Sequence, residues 1–182
     1  MQFRTPLLTA AVLGLSACAG MNGPMTPYSQ ASLPDAVKVP AGHVVAMETV
    51  GAGDIAYECR ARQGMAGQFE WVFVGPDAKL MDRKGMQIGR YYGPPATWEN
   101  RDGSKVTGAQ VAVAPAADVS NIPMQLVKAN PATGTGAMQG VSFIQRVATR
   151  GGVAPTMACG AATLGQKQVV KYQADYIFWR AV

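Results

Sequence analysis

The segment Val170-Lys171-Tyr172-Gln173-Ala174-Asp175-Tyr176-Ile177-Phe178 decides the fold class of this chain. Apolar side chains occupy every second position from Val170 to Phe178, and three polar side chains lie between them. Successive side chains of a β-strand point to opposite faces, so this period of two predicts a half-buried strand. We therefore expect the segment to contribute one apolar face to a buried core.

The same alternation recurs earlier in the chain. In 55–61, the side chains of Ile55, Tyr57, Cys59 and Ala61 share one face. Further candidate strands lie at 44–50, 68–74, 105–113 and 141–149. No repeated helical segments separate these strands, which favours an antiparallel arrangement over a βαβ architecture.

Glycine, proline and aspartate mark the expected connections between strands. We expect 51–54 (Gly-Ala-Gly-Asp) to form a turn before the strand at 55–61. We expect 75–77 (Gly-Pro-Asp) to end the strand at 68–74. Asp102-Gly103-Ser104 predicts a hairpin turn, and Gly151-Gly152 follows the strand that leads to Arg150. A short helix within 116–129 is an alternative that Pro123 disfavours. The sequence thus predicts an all-β single domain, an antiparallel sandwich or barrel with little helix.

A different pattern occupies the amino terminus. An apolar run leads into Leu15-Ser16-Ala17-Cys18, which resembles the lipobox of bacterial lipoproteins. The resemblance implies cleavage before Cys18, lipid on its sulfur and anchoring to a membrane. An ordinary secretory signal with a free Cys18 is the alternative. A transmembrane anchor is disfavoured, because a spanning helix needs about 20 apolar residues and this run is shorter.

This interpretation divides the chain into three parts. We expect a signal peptide at 1–17, a flexible lipid-anchored tether at 18–34 and a β-rich domain at 35–182. The expected location is the bacterial cell envelope. Ala19 follows the cysteine where inner-membrane lipoproteins often have aspartate, which resembles lipoproteins of the outer membrane that face the periplasm.

Charge and cysteine content limit the partners of the domain. The chain has 16 lysines and arginines against 11 aspartates and glutamates, a net charge of +5, but the basic residues are scattered. A nucleic-acid-binding protein would concentrate them in a stripe, so we expect no nucleic-acid partner. Once Cys18 is assigned to lipid, Cys59 and Cys159 remain, and an oxidising compartment favours a disulfide between them. Two separately buried thiols are the alternative.

The common catalytic signatures are missing from the sequence. His43 is the only histidine, and the expected disulfide would make Cys59 and Cys159 unavailable as metal ligands. One histidine without free cysteines cannot form a typical zinc or copper site. We therefore predict neither a metal nor a cofactor, and we assign no catalytic residue. Carboxylate chemistry, as in many glycosidases, remains open.

The densest group of aromatic and charged residues lies between Arg90 and Glu99. Glycine and proline stiffen this segment, and its flat rings beside a carboxylate suit a sugar or a peptide. We select as candidate ligand-binding residues Tyr91, Tyr92, Trp98 and Glu99. The alternative is that Trp98 and one tyrosine fill the end of a barrel.

An ordered set of short motifs across the domain resembles one protein family, the domain-of-unknown-function 3455 family of exported bacterial and fungal proteins. The motifs include Trp71-Val72-Phe73, Gly75-Pro76-Asp77-Ala78, Gly93-Pro94, Trp98-Glu99, Asp102-Gly103-Ser104, Ile144-Gln145-Arg146-Val147 and Tyr172-x-Ala174-Asp175-Tyr176. The resemblance implies a β-rich exported domain and no particular activity. The family often has a histidine before its Gly-Pro element, where this chain has Arg90 or Tyr91, and a tryptophan where this chain has Met124.

Together these observations favour a non-enzymatic envelope lipoprotein that acts as a binding or structural module. Its expected partners are the membrane, through lipid on Cys18, and a carbohydrate or protein ligand. One alternative is a carboxylate-dependent hydrolase that acts on carbohydrate near Glu99. Another alternative is a proteinaceous inhibitor of a wall-lytic enzyme, which rests on fold-level analogy alone.

Overall fold

The computed structural model describes residues 26–182. The expected signal peptide at 1–17 and the expected lipidation site at Cys18 lie outside the described residues. Both therefore stay predictions. Among residues 26–182, no helix is long and apolar enough to cross a membrane.

Eight antiparallel strands form a closed barrel in which each strand pairs with its neighbours in the sequence. The strands are β1 (His43–Ala61), β2 (Phe69–Met81), β3 (Gln87–Tyr92), β4 (Thr97–Asn100), β5 (Lys105–Ala114), β6 (Met124–Ala129), β7 (Val141–Gly151) and β8 (Lys167–Ala181). Strand β8 also pairs with β1, which closes the ring. Two short 3-10 helices, Asp35–Val37 and Ala161–Thr163, complete the regular structure. The all-β prediction is confirmed, and the barrel is the form that the fold takes.

Large side chains fill the barrel interior. The alternating residues of β8 that opened the sequence analysis point inward, and Tyr172, Ala174, Tyr176 and Phe178 are all buried. Trp98 is 1% exposed and packs among them. Burial of several aromatic rings in one core stabilises the fold through the hydrophobic effect and through ring–ring contacts.

Two of the expected turns are wrong, because both segments continue as strand. β1 runs through Gly51 and Gly53, and β2 runs through Pro76. The glycines are needed for close packing: a Cβ added at Gly51 would lie 2.8 Å from Cδ2 of Tyr176. Glycine inside a strand often marks such close approach rather than a turn.

The remaining two turn predictions are confirmed, whereas the short helix considered within 116–129 is not observed. The Asp102-Gly103-Ser104 turn is confirmed: it joins β4 to β5, Gly103 has φ 85°, and its backbone amide donates to the carbonyl oxygen of Asn100. Gly151 ends β7, as expected from the sequence. The short helix considered within 116–129 is wrong, because β6 occupies the second half of that range. Pro123 precedes β6, where its missing N–H costs no ladder bond.

A second apolar cluster lies on the outside of the barrel and is covered by the amino-terminal part of the described chain. Its centre is the side-chain amide of Gln145, which is fully buried. Its oxygen accepts hydrogen bonds from Trp179 Nε1 at 2.9 Å and from Tyr28 Oη at 3.2 Å. Its nitrogen donates to the carbonyl oxygen of Val37 at 2.6 Å and to Gln30 Oε1 at 3.0 Å. Residues 28–34, which the sequence analysis assigns to the tether, therefore contact the barrel.

The disulfide prediction is confirmed. Cys59 on β1 is bonded to Cys159 in the β7–β8 connection, with the two Cα atoms 5.5 Å apart. Nearby, Trp71 Nε1 donates to the carbonyl oxygen of Met157 at 2.8 Å. The bond and this contact hold the long β7–β8 connection against the β1–β2 pair.

Candidate ligand-binding face

The β3–β4 hairpin divides the four residues selected from the sequence between its two faces. Tyr91 and Trp98 are register partners and point into the barrel, where both are buried. Tyr92 and Glu99 occupy the alternate positions and point outward, where both are half-buried. The four side chains therefore do not share one surface, because neighbouring residues of a strand face opposite ways.

The inner pair belongs to the core. The rings of Tyr91 and Trp98 stack with centroids 4.6 Å apart at an interplanar angle of 17°. Both also contact the ring of Tyr176, at 5.0 Å and 6.0 Å. Burial raises the pKa of Tyr91, so its hydroxyl stays protonated at neutral pH. We assign Tyr91 and Trp98 to packing.

The outer pair belongs to two rows of side chains that cross three strands. One row contains the register partners Arg90, Glu99 and Lys105, in which a carboxylate lies between two cations. We name this surface of β3, β4 and β5 the Tyr92–Glu99 face. The register partners in its second row are Tyr92, Thr97 and Thr107.

Tyr92 is held from two sides on this face. Its hydroxyl donates to Glu99 Oε2 at 2.7 Å, and Arg90 donates to the same oxygen at 3.2 Å. The guanidinium of Arg90 also lies 4.5 Å from the centroid of the Tyr92 ring, which is the geometry of a cation–π contact. These contacts restrict the orientation of the ring.

The same contacts keep Glu99 ionised. The hydrogen bond from Tyr92, and then that from Arg90, lower the pKa of the Glu99 carboxyl below its ordinary value. Lys105 on the next strand adds in the same direction. A group with a lowered pKa is deprotonated at neutral pH and cannot serve as the general acid of glycoside hydrolysis, which needs a raised pKa.

Two shallow clefts flank the Tyr92–Glu99 face. One has a volume of about 270 Å³ and presents Tyr92, Lys105 and Pro131 together with the hydroxyls of Thr107 and Thr133. The other has a volume of about 180 Å³ and lies along Arg90, Glu99 and Arg101. A ring, several hydroxyls and charged groups along one surface can bind a flat polar ligand by stacking and hydrogen bonding.

The one histidine, a side chain that could act in catalysis or bind a metal, lies apart from this face. His43 begins β1, where its Nδ1 lies 3.0 Å from the carbonyl oxygen of Pro40 and its ring contacts the edge of Phe143. Within residues 26–182, no three side chains from histidine, cysteine, aspartate and glutamate are grouped to hold a metal ion.

Sequence reasoning missed the partners of Tyr92 and Glu99. Arg90 lay inside the quoted segment but was not selected, and Lys105 and Thr107 belong to a strand that the sequence did predict. The missing step was to treat 87–92 and 97–100 as strands. Alternation alone would then have separated Tyr91 from Tyr92.

Comparisons with known proteins identify the family. No curated protein and no solved structure matches the chain. The model of one family, described as protein of unknown function (DUF3455), matches residues 40–180, which include all eight strands but the end of β8. The chain therefore belongs to the domain-of-unknown-function 3455 (DUF3455) family.

Proposed function

We propose that the protein is a non-enzymatic binding module of the bacterial cell envelope, anchored by lipid on Cys18. We further propose that the Tyr92–Glu99 face binds a carbohydrate. The lipobox-like sequence before Cys18 supports the anchor. The contacts that Tyr92 makes with Glu99 and Arg90 support carbohydrate as the class of ligand.

The observation that carries the proposal is the pair of contacts, from Glu99 and Arg90, that orient Tyr92. A sugar ring that stacks on an aromatic side chain loses affinity if that side chain must first be ordered. Here the Tyr92 hydroxyl is held by Glu99 and its ring lies against Arg90, so little further ordering is required. The hydroxyls of Thr107 and Thr133 line the same cleft and can exchange hydrogen bonds with a polyhydroxylated ligand.

The electrostatics of Glu99 favour binding over hydrolysis. Its lowered pKa leaves a permanent carboxylate, which can accept hydrogen bonds from sugar hydroxyls but cannot protonate a leaving group. A hydrolase would need a second carboxyl as its general acid, and among the described residues that line the two flanking clefts Glu99 is the only carboxylate. The binding function is therefore preferred over the carbohydrate hydrolase.

The ligand proposal predicts that Tyr92→Ala weakens binding to envelope polysaccharide fragments by tenfold or more, because it removes the stacking surface and frees Arg90. Glu99→Gln should also weaken binding, since it removes the charge that orients Tyr92. Isothermal titration calorimetry against fragments selected on a glycan array measures both effects. A far-ultraviolet circular dichroism spectrum checks that each variant is folded.

Glu70→Gln is the matched control. Glu70 is an exposed carboxylate 3.7 Å from Arg62, so it repeats the ion pair of Glu99 and Arg90 away from the proposed ligand. This variant should bind as the parent chain does. Equal loss of affinity in Glu70→Gln and Glu99→Gln, or unchanged affinity in Tyr92→Ala, would contradict the assignment of the face.

The anchor is tested separately. We expect Cys18→Ser to release the protein from the membrane fraction or to block its processing, because multiple acyl chains are what hold a lipoprotein stably in a bilayer. Ser16→Ala keeps a small residue before the cysteine and should leave retention unchanged. Fractionation of cells, followed by immunoblotting, measures both. Membrane retention and gel mobility of Cys18→Ser identical to those of the parent chain would refute lipidation.

A further inference from the structure

The barrel leaves part of one strand unpaired on one side. β2 pairs with β1 along its whole length, from Phe69 to Met81. On its other side, β2 pairs with β3 only from Asp77 to Met81. Within the described part of the chain, residues 69–74 therefore form an open strand edge, which we name the β2 edge.

The register determines which backbone groups face outward along the β2 edge. Cys59 directs its amide to the carbonyl oxygen of Gln166 at 2.9 Å, and its carbonyl oxygen accepts from Gly165 at 2.8 Å. Its register partner on β2, Trp71, is therefore in a pair without hydrogen bonds, and the N–H and C=O of Trp71 point away from β1. By alternation, Phe69 and Phe73 point theirs the same way.

The side chains of the β2 edge do not protect it. Natural edges are usually blunted by lysine, proline or a bulge. The segment 69–74 (Phe-Glu-Trp-Val-Phe-Val) contains neither residue, and its one irregularity, a register shift against β1 at Val74, leaves 69–73 as a regular strand. Phe73 is 52% exposed although it contacts the ring of Tyr57. The one charged side chain, Glu70, already has a cationic partner in Arg62. Such an edge is a template for another strand.

We propose that the β2 edge pairs with the β2 edge of a second copy of this chain, antiparallel and about a two-fold axis at Trp71. Outward groups must meet outward groups, so this register places Trp71 opposite Trp71 and Phe69 opposite Phe73 of the other copy. These cross-strand pairs are aromatic on aromatic, the combination that stabilises antiparallel sheets.

The charge pattern favours a second copy as the occupant. With Trp71 on the axis, Glu70 lies opposite Val72 of the other copy, so no two carboxylates are directly opposed. A two-fold arrangement satisfies both edges at once, as in isologous dimers generally. Because the contact is confined to one short strand, we expect a weak, concentration-dependent dimer.

The test is sedimentation velocity of the full chain in detergent over a dilution series. The parent chain should show a monomer–dimer equilibrium. Phe73→Lys, which puts a charge on the β2 edge, should raise the dimer dissociation constant by tenfold or more. Val111→Lys is the matched control: Val111 is 56% exposed on β5, a strand that pairs with β4 and β6 and not with β2, and its replacement should leave the constant unchanged.

Cross-linking tests the register. The double variant Glu70→Cys/Val72→Cys should form a disulfide-linked dimer under mild oxidation, because residues 70 and 72 of the two copies are opposed. Glu70→Cys alone should not. A parent chain that stays monomeric at all concentrations would overturn the proposal, as would equal weakening by both lysine variants or cross-linking by Glu70→Cys alone. A monomer that instead binds extended foreign peptides along the edge would also overturn it.

Discussion

Replacement of Trp98 by alanine is expected to lower the free energy of unfolding by about 3–5 kcal/mol. The side chain is 1% exposed, stacks on Tyr91 and contacts Tyr176, so its removal leaves a cavity bounded by two rings. A loss of that size is a large part of the stability of an ordinary domain. Urea unfolding followed by circular dichroism measures it.

Trp98→Phe separates packing from hydrogen bonding at the same position. The indole Nε1 of Trp98 is buried, and no hydrogen-bond acceptor reaches it among the described residues. Phenylalanine keeps most of the ring and removes this unsatisfied donor, so it should cost clearly less than alanine. Tyr92→Ala on the outer face should also cost less than Trp98→Ala. A Trp98→Ala variant within about 1 kcal/mol of the parent chain would contradict the core assignment.

Loss of the disulfide is expected to lower the free energy of unfolding by up to about 4.7 kcal/mol. The bond joins residues 100 positions apart, and closing so long a loop removes much conformational entropy from the unfolded chain. The variant Cys59→Ser/Cys159→Ser, compared with the parent chain by urea unfolding, measures the effect.

The double serine variant is the control for chemical reduction of the disulfide. Dithiothreitol should destabilise the parent chain to about the level of the double serine variant and should leave that variant unchanged. Thiol labelling of the folded parent chain without reductant should modify neither Cys59 nor Cys159. Labelling of both in the folded state, or a destabilising effect of dithiothreitol on the double variant, would contradict the expected role of the bond.

The alternation of residues in β8 was sufficient to predict an all-β fold, because Tyr172, Tyr176 and their neighbours report directly which side is buried. The same reasoning misplaced the turns at 51–54 and 75–77. Glycine is ambiguous from sequence: it permits a turn, and it also permits the close approach of a ring, as at Gly51. Which of the two applies depends on Tyr176, a residue distant in the sequence.

Of the four candidate ligand-binding residues selected from the sequence, two share a surface. Tyr92 and Glu99 lie together on the outer face, but Tyr91 and Trp98 belong to the core, and composition alone cannot separate two adjacent tyrosines. The pairing of Arg90 and Lys105 with Glu99 depends on the register of three strands. That register is set by hairpin geometry and core packing together, so it could not be obtained from one segment.

The pairing of β1 with β8 has a kinetic consequence. Register partners such as His43 and Ala181 are separated by most of the chain. Such non-local contacts slow folding, because the chain loses the conformational entropy of closing the loop before the contacts can stabilise it. A chain that enters its folding compartment amino terminus first can form the β1–β2 hairpin, but the ring cannot be sealed until β8 has entered. Until then β1 and β7 both present open edges, so the entering chain is most exposed to mispairing immediately before its last strand arrives.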